Sequence, residues 1–564
     1  MDFFVSAIRS AAPSSCRAGR SWVALSVIAA LIVVLPVAGL ALEALKGSSG
    51  LWTHLLSSIL PVALADTVIL LTGVGLVTAL LGTTTAWLVT AYDFPGRRVL
   101  EWALLLPLAV PTYIIAYAYL DILHPIGSVQ GAIRWLLGHE TPRQFRLPDI
   151  RSMTGCILLL GFVLYPYVYI PTRAMFLTQS GNLVDAARTL GISHRAVFWR
   201  VALPLARPAV AVGIALALME TLNDVGAAEF LGVKTMTVSI YTTWITRTDL
   251  PGASQIALAL LLIVVALMAI ERWARRKQRY ATDARRSRGL TPQKVEPLKG
   301  ILFLAAGSVP IVLGFIAPGI YLASEAWKRY QFAGLSPRLL DEAINTMTIA
   351  VLATVVTIAL GLVVAYAARI RPGRTSGVLL RLSTIGYAAP GTVVAIGVLI
   401  VVAGFDQLID RTAIGWVGVS TGLLFMGSGA AVVYALTVRF LAISAGGIEA
   451  GLSRIPVSFD YASRTLGQTT GGTFRHVHLP LSKAAISAAA LLVFVDCVKE
   501  LPATLLLRPL NVETFATHLY GEAARGTYEE ASIAALAIVA ISILPVILLS
   551  RVGRQPTWHS SNPG

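Results

Sequence analysis

Asp185-Ala186-Ala187-Arg188-Thr189-Leu190-Gly191, running on to Leu203-Pro204-Leu205, returns 276 positions later as Tyr461-Ala462-Ser463-Arg464-Thr465-Leu466-Gly467, running on to Leu479-Pro480-Leu481. Gly and Pro stand 13 residues apart in both copies, and each copy fills a polar break between apolar runs of membrane length. A phrase kept in register with the apolar runs around it marks an internal structural repeat. Gly82 and Pro111 extend the match, answering to Gly361 and Pro390 at an offset of 279.

The chain around that phrase has 564 residues, 56% hydrophobic and only 13% charged, with a mean hydropathy of +0.74. That is more apolar surface than a soluble core can bury, so the chain is a polytopic membrane protein. Crossing a hydrocarbon layer about 30 Å thick takes about 20 apolar residues as helix. Twelve such runs are present, near 22–43, 63–90, 99–122, 153–176, 208–231, 254–272, 301–323, 345–369, 377–404, 416–441, 482–507 and 531–550. Six per half is an even number, so both halves enter the membrane in the same direction. The expected organisation is a first repeat over 1–271 with core helices about 63–272, a basic cytoplasmic linker over 272–300, and a second repeat over 301–564 with core helices about 345–550.

A net charge of +16 could suggest a nucleic-acid partner, but in a membrane protein the position of the cations decides, because basic residues near helix ends stay cytoplasmic. With the N-terminus inside, 31 of the 45 Lys and Arg fall in cytoplasmic segments, among them Arg439 and ten in the linker. The predicted topology has both termini in the cytoplasm and no nucleic-acid partner. Segment 123–151 runs against the rule with Arg134, Arg143, Arg146 and Arg151, as loops of that length can. The linker reads as a solvated segment rather than a binding site. Three Arg precede an apolar run too long for a signal peptide, so the first run is read as an uncleaved membrane helix. Cys16, Cys156 and Cys497 lie far apart, giving no disulfide framework and no metal site.

Each copy of the phrase is expected to form two short helices joined by a turn. Gly191 and Gly467 suit the left-handed position that ends a helix, Ser193 and Thr470 the next N-cap, and Pro204 and Pro480 the start of the following span. The amphipathic stretches between them, 195–201 and 472–477, carry Phe198 and Phe474 at equivalent positions. One reading exposes these aromatics to a partner's groove; the other packs them on their own bundle.

The helix after each phrase holds a carboxylate pair, Glu220 with Asp224 and Asp496 with Glu500, all four matched at the same offset of 276. Spacing of four predicts one helical face for each pair. A charge at mid-bilayer costs about 2.5–3.5 kcal/mol, so such groups face a wet cavity or the bundle interior. Gly226 and Pro502 follow two residues later and interrupt the helix. Two uses remain open: lining a translocation path, or hydrogen-bonding backbone freed at the breaks and pairing with Lys499. Tyr113, Tyr117, Tyr119, Tyr165, Tyr167 and Tyr169 read as interfacial anchors, with no ligand role.

None of the eight Lys follows a Gly, so the chain carries no Gly-Lys-Ser/Thr phosphate loop and is not read as an enzyme or as binding a cofactor of its own. Ala186-Ala187 with Gly191 and Leu203-Pro204, and Ala462 with Gly467 and Leu479-Pro480, resemble the E-A-A-x3-G-x9-I-x-L-P loop of bacterial ABC importer permeases. Asp185-Ala186-Ala187 and Tyr461-Ala462-Ser463 stand where that family has its acid-led triplet. With Glu220-Thr221-Leu222-Asn223-Asp224 and the stretch Lys499-Glu500-Leu501-Pro502 to Pro509, the chain is similar to the fused permease of ferric-iron importers. The resemblance implies an all-α membrane protein of about twelve transmembrane helices in two parallel six-helix repeats. It places Asp185, Ala186, Ala187, Gly191, Phe198, Pro204, Ala462, Gly467, Phe474 and Pro480 in coupling loops that dock on two copies of a nucleotide-binding subunit, where ATP is used.

The same resemblance implies a periplasmic binding protein that delivers cargo, residence among the lipids of the bacterial inner membrane, and passage of cargo between helices five and eleven. Ferric iron is a hard ion that favours oxygen ligands; thiamine or another small cation such as a polyamine is the alternative cargo. A rival class, the major-facilitator secondary transporters, also has two six-helix halves and a basic loop after helix two. Tyr92 to Arg98 looks similar, but Val89 stands where that loop has Gly, and the class does not account for the paired Gly-to-Pro loops.

Overall fold

The computed structural model describes residues 12–47, 53, 55–178, 194–275 and 292–552. Almost all of them are helical. Among the described residues nine helices are long and apolar enough to cross a membrane, or eleven if each of two bent pairs counts as one span. The bent pairs are Arg97–Ala109 with Thr112–Ile122, turned by 92°, and Met153–Leu164 with Pro166–Leu177, turned by 42°. Pro111 and Pro166 sit at the bends, where a missing N–H and a bulky ring interrupt the hydrogen-bond ladder. The last expected run lies within the helix Tyr528–Val552.

Two expected runs are displaced. The stretch read as 377–404 divides into the helices Arg374–Thr384 and Gly391–Val417, with a 3-10 turn at Ile385–Ala388. The stretch read as 416–441 is the helix Ala430–Ser453, because the chain turns between them through Gly418, Gly422 and Gly429, all at positive φ. The left-handed conformation is open to glycine at little cost and ends helices. Arg439, assigned by sequence to the cytoplasm, therefore lies in the middle of a span.

Pro204 and Pro480 do not begin their helices. Each follows by two residues a π segment, Phe198–Ala202 and Phe474–His478, and the helix runs through without a break. Pro61 and Pro318 stand in the same relation to Leu55–Ile59 and Val312–Ile316. A carbonyl four residues before a proline has no α-helical donor. Accepting the N–H one position further on produces the i to i+5 pattern of a π turn.

The helices form two compact units, one of Met1–Pro61, Met236–Val264 and Pro337–Thr517, the other of Val62–Thr235, Val265–Ser336 and His518–Gly564. They group residues by packing and cut across the two repeats expected on either side of 272–300. In the first unit the helix Ala12–Ala44, from the start of the chain, packs on Arg338–Ile370, Arg374–Thr384 and Gly391–Val417. Ala29 buries against Val364 and Ala445, and Tyr434 Oη donates to the Ile32 carbonyl over 2.7 Å. Pro36 leaves its carbonyl beside Gly397 so closely that residue 397 has no room for a Cβ.

The second unit is built the same way. The segments Pro297–Ile311, Val312–Ile316 and Ala317–Ala333 pack on Arg97–Ala103, Thr112–Ile122 and Met153–Leu164, and Tyr528–Val552 lies along Ala317–Ala333. Arg329 pairs with Glu530 at 2.9 Å and Tyr321 Oη donates to Asp121 at 2.8 Å. A Cβ on Gly82 would come within 2.6 Å of Val168, so the helices Leu60–Ala91 and Pro166–Thr178 touch backbone to side chain there. Part of the expected linker is also structured: Gln293–Lys294 pairs in parallel with Tyr92–Asp93.

Candidate coupling and translocation sites

The second coupling segment is described throughout. Its first helix, Val457–Thr465, ends at Gly467 with φ 79°. The next helix, Thr470–Thr473, is capped by Thr469, whose hydroxyl accepts from the Gly472 N–H, one residue earlier than the expected Thr470. An extended residue whose oxygen reaches the N3 amide is the capping geometry, and Thr469 is the residue that has it.

This segment is fastened by a shared carboxylate. Asp460 Oδ2 accepts from Arg369 at 2.7 Å and its Oδ1 lies 2.7 Å from His478 Nε2. Arg369 also donates to the carbonyls of Leu452 and Ile455 at 2.5 and 3.1 Å. The Tyr366 hydroxyl donates to the Thr470 carbonyl at 2.9 Å. Phe474 packs at tilted angles on Trp22 and Tyr366, with ring centroids 5.4 and 4.7 Å away, and those two rings also meet edge to face at 4.8 Å.

In the first coupling segment Asp185, Ala186, Ala187, Gly191 and Ser193 lie outside the described residues. Phe198 packs at 5.3 Å on Trp87 in a cluster with Phe176 and is 8% exposed, whereas the next residue, Trp199, is 66% exposed. Of the two readings left open for Phe198 and Phe474, the packed one matches their surroundings in this chain, where Phe198 is buried and Phe474 half-buried. Both face their own unit, because a ring beside an apolar span gains more from burial than from water. Among the described residues the exposed apolar groups include Trp199 in the first segment and Val457, Phe459, Tyr461 and Leu466 in the second, beside exposed Ala462 and Gly467. Tyr461 was not singled out by sequence, since repeat matching favours positions that recur and the copies differ there; Leu466 does recur, as Leu190, but its exposure is not legible from the repeat. Pro204 is half-buried and Pro480 exposed.

The carboxylates occupy two kinds of site. Asp224 and Glu500 are buried and lie past the ends of the helices Leu203–Asn223 and Leu479–Lys499, both with extended backbone. Neither shares a helical face with its partner, contrary to the spacing argument, because the chain leaves the helix at the acid itself. Asp224 Oδ1 accepts from the Ala227 N–H at 2.7 Å, and Thr112 donates to its Oδ2. Glu500 accepts from the N–H groups of Ala503 and Thr504 at 2.9 and 3.0 Å, and from Arg439 at 2.7 Å. Each acid holds the first amides of the short helix after the break, Gly226–Phe230 or Pro502–Leu507. Orphan amides at a helix start and its positive dipole end both favour a carboxylate there.

Glu220 and Asp496 remain on their helices, half-buried, with Asp496 paired to Lys499 at 2.9 Å. Among the described residues no group of three or more His, Cys, Asp or Glu could hold a metal ion. Four of the six tyrosines expected at the interface, Tyr113, Tyr117, Tyr165 and Tyr169, are buried, while Tyr119 and Tyr167 are half-buried; Tyr165 and Tyr169 donate to the carbonyls of Leu104 and Glu101 at 2.8 and 2.9 Å. A buried phenol needs a partner for its hydroxyl, and carbonyls near the bent span supply it.

Two repeats of membrane-length helices, each with a broken span after a Gly-to-Pro loop, define an all-α membrane permease. The chain belongs to the binding-protein-dependent transport system inner membrane component family, whose model matches residues 78–280 and again 357–554. It is 24% identical over 503 residues to the Fe(3+)-transport system permease protein FbpB 2 of Haemophilus influenzae, covering 86% of this chain and 89% of that one. It is also 25% identical over 272 residues to the sulfate transport system permease protein CysT of Synechocystis, 46% of this chain and 91% of that one. With the molybdenum transport system permease protein ModB of Escherichia coli it shares 28% over 203 residues, 34% of this chain and 84% of that one. It is the membrane component of an ABC importer, which works with a binding protein and an ATPase.

Proposed function

We propose that the chain is the permease of an importer that carries ferric iron into the cytoplasm. The similarity to an iron permease spans both repeats, whereas the sulfate and molybdenum relatives match less than half of the chain, and this difference supports the reading. Two copies of the nucleotide-binding subunit dock on the two coupling segments, Asp185 to Pro204 and Ala462 to Pro480. Both termini are cytoplasmic and the binding protein delivers from the opposite side. ATP binding draws the coupling segments together and reorients the spans. Glu220 and Asp496 are the acids that serve the cargo, since Asp224 and Glu500 spend their oxygens on buried backbone amides, whereas Asp496 pairs with the half-buried Lys499 at 2.9 Å. No cofactor is assigned to this chain.

The experiment is uptake into proteoliposomes holding this chain with its ATPase, supplied with its binding protein and labelled ferric iron. ATP-dependent iron accumulation is expected. Accumulation of sulfate or molybdate in place of iron would reassign the cargo and leave the family intact.

A further inference from the structure

The helix Ser128–Leu137 is inverted. Its polar residues Gln130 and Arg134, one turn apart, are buried. Gln130 Nε2 donates to the Leu123 carbonyl at 2.7 Å, its Oε1 accepts from the Leu147 N–H at 3.1 Å, and Arg134 donates to the Pro125 carbonyl at 2.8 Å. The outward side is apolar, with Trp135 81% and Leu136 78% exposed and Val129 and Leu137 beside them. A helix in water turns its apolar stripe inward. The reverse arrangement fits an apolar surrounding on the outer side.

The helix is held at the end of a span. Five residues separate it from Thr112–Ile122, and that turn is closed by Gly127 N–H donating to the His124 carbonyl at 2.8 Å as well as by the Gln130 and Arg134 bonds. Five residues of chain reach at most about 18 Å even when extended, so the helix stays beside the end of that span. Near that end an apolar recess of about 360 Å³ lies among Tyr119, Leu123, Ile150, Leu158 and Phe162. Met153 begins the returning bent span at this end, and Phe176 near its far end packs on Trp87 in the cluster that holds Phe198. The inverted helix therefore belongs to the face of this unit away from the coupling segment.

We propose that Ser128–Leu137 lies flat in the lipid headgroup layer of the leaflet opposite the first coupling segment, with Trp135 and Leu136 in the acyl boundary. Amphipathic helices with Trp and Leu on one side bind that layer, and basic groups nearby are drawn to anionic headgroups. Arg143, Arg146 and Arg151 follow the helix, exposed. The four arginines that oppose the positive-inside pattern thereby find uses: Arg134 folds the loop, and Arg143 and Arg151 meet lipid phosphate beside Arg146, which also lies 3.6 Å from Asp149.

A spin label on Leu136→Cys, with Cys16→Ser in the same chain, tests this in nanodiscs of phosphatidylethanolamine and phosphatidylglycerol. Cys156 and Cys497 are buried and do not compete. Power saturation should show dissolved oxygen relaxing the label at least twofold more than a water-soluble nickel chelate, with the order reversed for a label on Arg143→Cys. Chelate exceeding oxygen at position 136 would overturn the proposal and give the face to a soluble partner. The measurement needs no cargo, so it stands or falls apart from the iron assignment.

Discussion

Arg439 and Glu500 form a buried ion pair at 2.7 Å that has no equivalent in the first repeat. By the repeat offsets Arg439 answers to Val163 and Glu500 to Asp224, while Thr112, which caps Asp224, answers to Gly391. A Cβ on residue 391 would lie 2.8 Å from both Arg439 Nη1 and Glu500 Oε1. In the second repeat a guanidinium fills the space beside Gly391, and the hydroxyl that reaches the acid is that of Thr504, which donates to Glu500 Oε2 at 3.0 Å. Both acids fasten a broken span through neutral donors, to which Glu500 adds a cation.

Removing one member of that pair leaves the other buried and unpaired, which costs about 3–5 kcal/mol. Arg439→Met and Glu500→Gln should each lower the unfolding temperature of the purified permease markedly. The double variant should lose less than the sum of the two, because no uncompensated charge is left. Gly391→Ala should resemble Arg439→Met. Additive losses in the double variant would show that the two side chains are not energetically coupled.

Asp224 tests cap against charge. Asp224→Asn keeps an oxygen for the Ala227 N–H and should hold stability within about 0.5 kcal/mol, whereas Asp224→Ala leaves buried donors unmet at a cost of about 1–3 kcal/mol. If the carboxylate serves only the cap, Asp224→Asn transports at nearly the wild-type rate. By contrast Glu220→Gln with Asp496→Asn should reduce uptake several-fold at an unchanged melting temperature. Full uptake by that double variant would remove both acids from the cargo route.

Much of this was legible in the sequence for a physical reason: membrane-length runs, a repeated phrase and helix-ending glycines are local signals, and Gly467 takes the left-handed turn expected of it. The composition of the compact units was not legible. Nothing local in residues 12–44 says that they pack around Gly391–Val417, since an apolar helix is equally suited to any apolar neighbour. Arg439 was misassigned because a charge count assumes cations near helix ends, and a span displaced by about a dozen residues put one mid-helix. The acids were found, but i, i+4 spacing assumes an unbroken helix, and the helix stops at Asp224 and Glu500.

Phe198 and Trp199 are neighbours with opposite expected consequences. Phe198→Ala empties a packed site and should destabilise the chain by about 3–5 kcal/mol. Trp199→Ala should leave melting unchanged while weakening capture of the ATPase subunit from detergent solution. Tyr461→Ala with Leu466→Ala should do the same at the second segment. Loss of ATPase binding from Phe198→Ala alone, without loss of stability, would restore the ring to the docking surface.

The two coupling segments are held by different forces. At the first, Trp87 packs on Phe198; at the second the equivalent position is Tyr366, and Ala202 is replaced by His478, which shares Asp460 with Arg369. Arg369 reaches Asp460 and two carbonyls at once, and a lysine ammonium on a flexible stem cannot reproduce that planar fork. Arg369→Lys should therefore loosen Val457–Thr465 without unfolding the spans, seen as faster amide exchange confined to residues 452–470 and weaker stimulation of the ATPase. Asp460→Asn should act in the same direction, since it leaves Arg369 without its counter-charge. Exchange that speeds equally in the helix Arg338–Ile370 would mean that the cluster supports the whole unit rather than the coupling segment it fastens.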